Sequence, residues 1–289
     1  MLNNMTALVS AFARLYHTKN ATVRIYEDRF AEKIISENEY NAVALNMKNG
    51  IKFFDPDYVG KDPLKRIVNN NLAPSVLARS ALCERRLINA VSSGTEQYVV
   101  LASGYDTSAF GVPETVRAFE LDKPEMIEDK RRRAVISGLD RPNITYIPTD
   151  FNEKWIDDLT KTNYNPQCKT FCSMLGISYY LEKQAFADTV KQICSVMPKG
   201  SEIVFDYPVD CPTSKERINS ALASGANESM KSAYSFKDIE DIARTAGTTV
   251  SLRLTNKEVD ETLFKDYNET YPNDKIVAPS GVEYAVLRK

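Results

Sequence analysis

The residues of this chain that could do chemistry sit where apolar runs break into small or acidic side chains. The run Gln97-Tyr-Val-Val-Leu-Ala-Ser-Gly-Tyr-Asp-Thr107 gives way to small residues at Ala102, Ser103 and Gly104. Small residues at a strand end let a ligand approach the backbone closely. A second run, Arg117-Ala-Phe-Glu-Leu-Asp122, ends in a carboxylate. It lies about 20 residues beyond the first turn, where nucleoside-binding folds set an acid against the ribose hydroxyls. A third run reaches Thr149, Asp150 and Phe151. Asp150 suits an adenine amino group as hydrogen-bond acceptor, and Phe151 suits the ring face. Three consecutive strand ends of this kind predict a nucleoside site.

The turn itself narrows the choice of nucleoside. The dinucleotide fingerprint G-x-G-x-x-G is missing, because Ala102-Ser-Gly-Tyr-Asp-Thr-Ser108 supplies one glycine, and no G-x-x-x-x-G-K-[ST] phosphate loop occurs. A dinucleotide needs its pyrophosphate against a helix N-terminus reached through glycines. S-adenosylmethionine has no phosphate and tolerates a bulkier turn. Its amino-acid end carries a carboxylate, for which Arg79, in a helix ahead of the first run, is the candidate partner.

Other chemistries fare worse. His17 is the single histidine, and no G-x-S-x-G elbow accompanies it, which argues against a Ser-His-Asp hydrolase. Ser103 reads as a residue of backbone approach, not as a nucleophile. The five cysteines, Cys83, Cys168, Cys172, Cys194 and Cys211, are odd in number and scattered, as suits reduced thiols. Cys168 and Cys172 lie in or beside one strand, about 13 Å apart at the usual strand rise, so no metal site is expected. Tyr179 and Tyr207 follow the fourth and fifth strands and are candidates to meet a second substrate.

The elements that must position these groups follow from periodicity. Strands are predicted at 98–102, 116–121, 144–147, 170–174 and 201–206, with helices at 126–137, 153–161, 182–197 and 236–246 between and after them. Two closing strands, 250–254 and 283–287, form an antiparallel pair joined by a long loop. Ahead of the sheet, helices are predicted from Leu8 to about His17, from Asp28 to Glu39 and from Pro74 to Val91, with residues 50–60 as a loop. The expected fold is α/β, a doubly wound, seven-stranded, mostly parallel sheet with an N-terminal helical extension. It is read as a single domain over 1–289, with a helical cap over 1–93 and the core over 94–289.

Composition agrees with a folded chain. The 289 residues are 43% hydrophobic and 26% charged, with a formal net charge of −2. That near-neutral balance argues against a nucleic-acid binder, and the mixed charges around Lys130 to Arg133 read as a solvated helix face. No run approaches the roughly 20 apolar residues of a membrane span. Ser10 and Arg14 interrupt the stretch that would serve as a signal peptide, so a cytoplasmic protein is expected.

The sequence also resembles a known family. In order, the matching pieces are Ala13-Arg-Leu-Tyr-His17 with Ile25-Tyr-Glu-Asp28, Pro74-Ser-Val-Leu-Ala-Arg79, the run 97–107, and Phe119-Glu-Leu-Asp-Lys-Pro124 with Lys130. Tyr146-Ile-Pro-Thr-Asp-Phe151, Phe171-Cys-Ser-Met-Leu-Gly-Ile-Ser-Tyr-Tyr-Leu181 and Gly200-Ser-Glu-Ile-Val-Phe-Asp206 complete the set. Together they resemble the leucine carboxyl methyltransferase family, in particular its bacterial branch of S-adenosylmethionine-dependent O-methyltransferases. The resemblance implies a class I, Rossmann-like methyltransferase fold. It implies that Arg79 pairs with the cofactor carboxylate and that 102–104 lies beside the methionine part. It further implies that Asp122 holds the ribose, that Asp150 and Phe151 meet the adenine, and that His17, inside the first matching piece, is a third candidate to meet the second substrate. Two departures stand out. Ala102 replaces the first glycine of the family's usual Gly-Ala-Gly turn, and Leu175 stands where many members have an acid that reaches the cofactor.

The expected activity is methyl transfer to a carboxylate or hydroxyl of a small molecule, in preference to a protein C-terminus. Two rival readings are a catalytically silent cofactor-binding module, kept open by Ala102 and Leu175, and a nicotinamide-dependent oxidoreductase, disfavoured by the missing glycines.

Overall fold

A computed structural model describes residues 5–209 and 230–289. Cys211 lies outside them. The seven strands are β1 (Gln97–Leu101), β2 (Arg117–Asp122), β3 (Ile144–Pro148), β4 (Thr170–Met174), β5 (Glu202–Pro208), β6 (Thr249–Leu254) and β7 (Val282–Arg288). They pair in the order β3-β2-β1-β4-β5-β7-β6. Strands β1 to β5 run parallel, and β7 inserts antiparallel between β5 and β6. The chain winds outward from β1 to β3 and then crosses back to lay β4 on the other side of β1. The strand order therefore reverses between β1 and β4, which is where open α/β sheets bind ligands.

Helices cover both faces. Ahead of the sheet come α1 (Met5–Asn20), α2 (Ala31–Ile34), α3 (Glu37–Asn49), α4 (Ile51–Phe54), α5 (Pro63–Ile67) and α6 (Ala73–Ser92). Between and after the strands lie α7 (Pro124–Ile136), α8 (Ile156–Thr160), α9 (Lys183–Val196), α10 (Phe236–Thr245), α11 (Asn256–Thr262) and α12 (Lys265–Thr270). Strand side chains alternate between faces with period two. Tyr98 and Val100 pack into the core shared with α1 and α6, whereas Val99 and Leu101 pack into the core shared with α8, α9 and α10. All five residues of β1 are buried, which is why that strand reads as an unbroken apolar run. Among the described residues no helix is long and apolar enough to cross a membrane.

Several elements differ from the sequence reading. The helix expected over 28–39 breaks at Ile35, whose backbone is extended, and Ser36 starts α3 by a reciprocal capping box with Glu39. The expected loop over 50–60 holds the short α4. A π-helical turn, Val68–Leu72, joins α5 to α6, so the helix expected from Pro74 is the end of a longer helical run. The helix expected over 153–161 is shorter, since α8 spans Ile156–Thr160. The long loop expected between the last strands carries α11, capped by Thr255 and Glu258, and α12.

Candidate active site

The turn after β1 is built from constrained backbone. Among the described residues Ala102, at φ 53°, is the one non-glycine residue with a left-handed backbone, and Gly104 follows at φ 43°. An L-residue there costs about 1 kcal/mol relative to the right-handed region. The turn is pinned to the end of β2: the Ser103 N–H donates to the Leu121 carbonyl at 3.0 Å and the Gly104 N–H to Asp122 Oδ2 at 2.7 Å. Asp122 Oδ1 accepts from the Lys123 N–H at 2.7 Å. Burial raises the Asp122 carboxyl above its ordinary value, and those two N–H groups work against the rise.

Beneath the turn lies an ion pair removed from water. Lys130 Nζ and Glu120 Oε1 are 2.9 Å apart, with both side chains fully buried. Lys130 Nζ also reaches the Ser103 carbonyl at 3.4 Å. Burial pushes Glu120 up to about 7 against the pull of Lys130.

The end of β3 reaches the same place. The Thr149 N–H donates to the Asp122 carbonyl at 2.8 Å. Asp150 accepts from the Asn152 N–H at 2.9 Å and from Asn152 Nδ2 at 2.8 Å, and Phe151 packs edge-on against Trp155 with ring centroids 5.5 Å apart.

From the opposite side, α6 delivers Arg79. Its Nη1 is 3.3 Å from Asp206 Oδ2 and its Nη2 is 3.3 Å from Ser10 Oγ. Asp206, fully buried at the end of β5, accepts in addition from the Gly176 N–H at 2.7 Å and from the Tyr179 hydroxyl at 2.9 Å. Gly176, at φ 74°, leaves the guanidinium its space, because a Cβ there would stand 2.6 Å from Arg79 Nη1.

A cavity of about 370 Å³ joins these parts, within the usual range for small-molecule sites. Ala102, Ser103, Gly104 and Asp122 line it, as do Asp150, Phe151, Leu175 and Arg79. All eight positions singled out in the sequence for a cofactor thus border one space.

The three residues singled out for a second substrate do not line the cavity. His17 is buried elsewhere: its Nε2 accepts the Ile25 N–H at 3.0 Å and its ring lies 5.3 Å from that of Tyr267. Burial, with Arg24 nearby, lowers His17 to about 4, so it stays neutral at pH 7. Tyr207 donates to Glu283 Oε2 at 2.6 Å on the far side of β5. Tyr179 stands behind Arg79 on Asp206, and its neighbour Tyr180 lines the cavity instead. Sequence reasoning also passed over Gly176, Asp206 and Glu120, and it set Lys130 on a solvated helix face where the structure buries it against Glu120. The signals were a glycine at the end of β4, an acid at the end of β5, and a charged residue inside the apolar run of β2. Among the described residues no cluster of groups could hold a metal ion.

Comparison with known proteins places this arrangement. The pattern of the leucine carboxyl methyltransferase family matches residues 7–194. YktD of Bacillus subtilis, provisionally named an S-adenosyl-L-methionine-dependent methyltransferase, is 31% identical over 91% of this chain and 92% of its own length. A Mycolicibacterium smegmatis protein provisionally given the same activity is 25% identical over 76% of this chain and 70% of its own. Among solved structures, a DUF574-family protein of Streptomyces avermitilis superposes with a TM-score of 0.58 at 14% identity, over 84% of this chain and 98% of that one. A protein of Thermobifida fusca, provisionally called a methyltransferase, does so with a TM-score of 0.55 at 15% identity, over 84% of this chain and 94% of that one. The structural matches speak for the fold, and the sequence match over most of the length carries the assignment: the chain belongs to the leucine carboxyl methyltransferase family.

Proposed function

We propose that this methyltransferase, which draws its methyl group from S-adenosylmethionine, places it on a carboxylate of a small-molecule acceptor. The carrying observation is how charge divides around the cavity. Its acidic lining residues, Asp106, Asp122, Glu125 and Asp150, all follow β1, β2 or β3. Around the end of β4 the described lining includes Ser10, Arg79, Leu175, Tyr180 and Lys231, and no described lining residue on or after β4 is an acid or histidine. A carboxylate acceptor is already ionised at pH 7 and needs no general base, whereas an alcohol or phenol does. Lys231, exposed at that end, adds a cation that favours an anion.

The residues present fit the cofactor. Arg79 suits the carboxylate of its amino-acid end, and the turn 102–104 suits the methionine part. Asp122 retains lone pairs for ribose hydroxyls, while Asp150 and Phe151 suit the adenine. Ser103 Oγ is buried, belongs to a residue that lines the cavity and lacks a partner among the described residues. A ligand polar atom would supply one. The cofactor supplies an electrophilic methyl on a sulfonium, and the chain's own work is to align the acceptor in line with it and to keep water out. Thr6, Ala7 and Ser10 of α1 roof the cavity for that purpose.

The test is a transfer assay with methyl-labelled S-adenosylmethionine and a panel of small carboxylic acids, phenols and alcohols. Label released as methanol by mild alkali marks an ester and supports the proposal. Alkali-stable label from a hydroxyl acceptor would replace the carboxylate by an alcohol or phenol. Cofactor binding without transfer to any acceptor in the panel would favour the silent module.

A further inference from the structure

Resting on that reading of the cofactor, one charge of its amino-acid end still lacks a partner. Arg79 suits the carboxylate, but the neighbouring α-ammonium needs an anion, since a cation taken out of water without one is costly. Leu175, at the end of β4, has no charge to offer. Asp122 has each oxygen tied to a backbone N–H at the end of β2, and Asp150 holds Asn152 at the end of β3. Both, like Glu125 directly after β2, belong to the side that suits ribose and adenine.

Asp106 is differently placed. It lies on the loop after β1, beside the point where strand order reverses, and it lines the cavity. Its neighbour Tyr105 is held by Arg14 of α1, one turn along that helix from the Ser10 that touches Arg79. Through Ser108 and Tyr98, Asp106 is also joined to Ser173 on β4 and Cys83 on α6, the strand that ends beside Leu175 and the helix that carries Arg79. Arg14 does not neutralise it by contact, because Arg14 gives Nε to Asp28 Oδ2 at 2.7 Å and Nη2 to the Tyr105 carbonyl at 2.6 Å. Among the described residues Asp106 makes no ion pair.

The Asp106 carboxylate is nevertheless oriented. Its Oδ1 accepts from the Ser108 N–H at 2.8 Å and from the Ser108 hydroxyl. Ser108 Oγ is 2.7 Å from the Tyr98 hydroxyl, which is 2.9 Å from Ser173 Oγ. Tyr98 is fully buried and Ser173 lines the cavity, so this chain of hydroxyls ties the carboxylate to β4 and fixes one oxygen. The other oxygen, Oδ2, has no hydrogen-bond partner among the described residues. An oriented carboxylate that borders a cavity with an unused oxygen is a group built to meet a donor.

We propose that Asp106 Oδ2 holds the α-ammonium of the cofactor while Arg79 holds its carboxylate, so that two residues read both charges of the amino-acid end. In this chain Asp106 thereby takes up the contact that Leu175 cannot make.

The experiment is calorimetric binding of three ligands: S-adenosylhomocysteine, its analogue lacking the α-amino group, and 5′-methylthioadenosine. Asp106→Asn should weaken S-adenosylhomocysteine by roughly 10- to 100-fold, the usual range for one charge-assisted hydrogen bond. The same substitution should leave the other two ligands within about twofold, the few tenths of a kcal/mol within which sites out of contact stay independent. Ser108→Ala, which frees the carboxylate without removing it, should weaken S-adenosylhomocysteine selectively and by less. It serves in place of Asp106→Asn if that variant does not fold. Equal losses for all three ligands would overturn the proposal in favour of a loop-holding role, and unchanged affinity for S-adenosylhomocysteine would overturn it outright. Failure of the intact protein to bind S-adenosylhomocysteine at all would instead overturn the cofactor reading, and this inference with it.

Discussion

Arg79 rests its guanidinium against Gly176, in a space that a single added methyl group would take, with 2.6 Å between Nη1 and the position of a Cβ. The glycine at the end of β4 and the arginine of α6 are thus one unit. Asp206 completes it by accepting from both, and this unit closes the cavity at the end of β4.

Gly176→Ala is therefore expected to act twice. The left-handed backbone at φ 74° makes alanine costly, by about 1 kcal/mol. The new methyl also displaces Arg79. A modest drop in melting temperature, with a loss of roughly tenfold or more in S-adenosylhomocysteine affinity from the lost charge-assisted contact, is the expected pair of results. A stability loss with unchanged affinity would separate Gly176 from the site.

Ala102→Gly runs the other way. The strain of a non-glycine residue at φ 53° is relieved, and stability is expected to rise by up to about 1 kcal/mol, less the entropy glycine returns to the unfolded chain. Denaturant unfolding measures it. Ala102→Val should lower stability, because a β-branched side chain tolerates this region poorly.

Asp122→Asn probes the nucleoside half of the cavity. Its losses should be similar for S-adenosylhomocysteine and for 5′-methylthioadenosine, since both carry the ribose that the carboxylate faces. A loss confined to the ligand with the amino-acid end would move Asp122 out of its proposed place.

His17 predicts a pH effect without a catalytic one. Its folded-state value of about 4 lies below the ordinary 6.5. Protons therefore bind the unfolded chain first as pH falls. The stability that neutral, buried His17 contributes is complete above pH 6.5 and is lost between 6.5 and about 4. By the standard conversion this amounts to about 3 kcal/mol over the whole window. The stability difference between the native chain and His17→Asn should shrink across that window in urea titrations. Methyl transfer at pH 7.5 should stay within a few-fold of native, because His17 does not line the cavity.

The parallel strands and their ends were legible in the sequence for one reason. A strand buried on both faces is an apolar run, and its functional end is where that run stops, as at Ala102, Asp122 and Asp150. Helix α3 was equally legible and passed over, since Ser36 followed by Glu39 is a capping-box pattern. Other features depend on distance in sequence. Nothing local tells that β7 slips between β5 and β6, or that Asp206 ends behind Arg79, 127 positions apart. The exchange of Tyr179 for Tyr180 is of the same kind: two adjacent tyrosines leave a tight turn, and only packing decides which one meets Asp206 and which one the cavity.

The most direct test of the account is calorimetry of S-adenosylmethionine and S-adenosylhomocysteine beside nicotinamide dinucleotides, on the native chain and on Arg79→Ala and Asp122→Ala. The native chain should bind both adenosyl compounds, each substitution should weaken them, and dinucleotides should give no heat of binding. Adenosyl binding that survives both substitutions, or dinucleotide binding that both abolish, would contradict it.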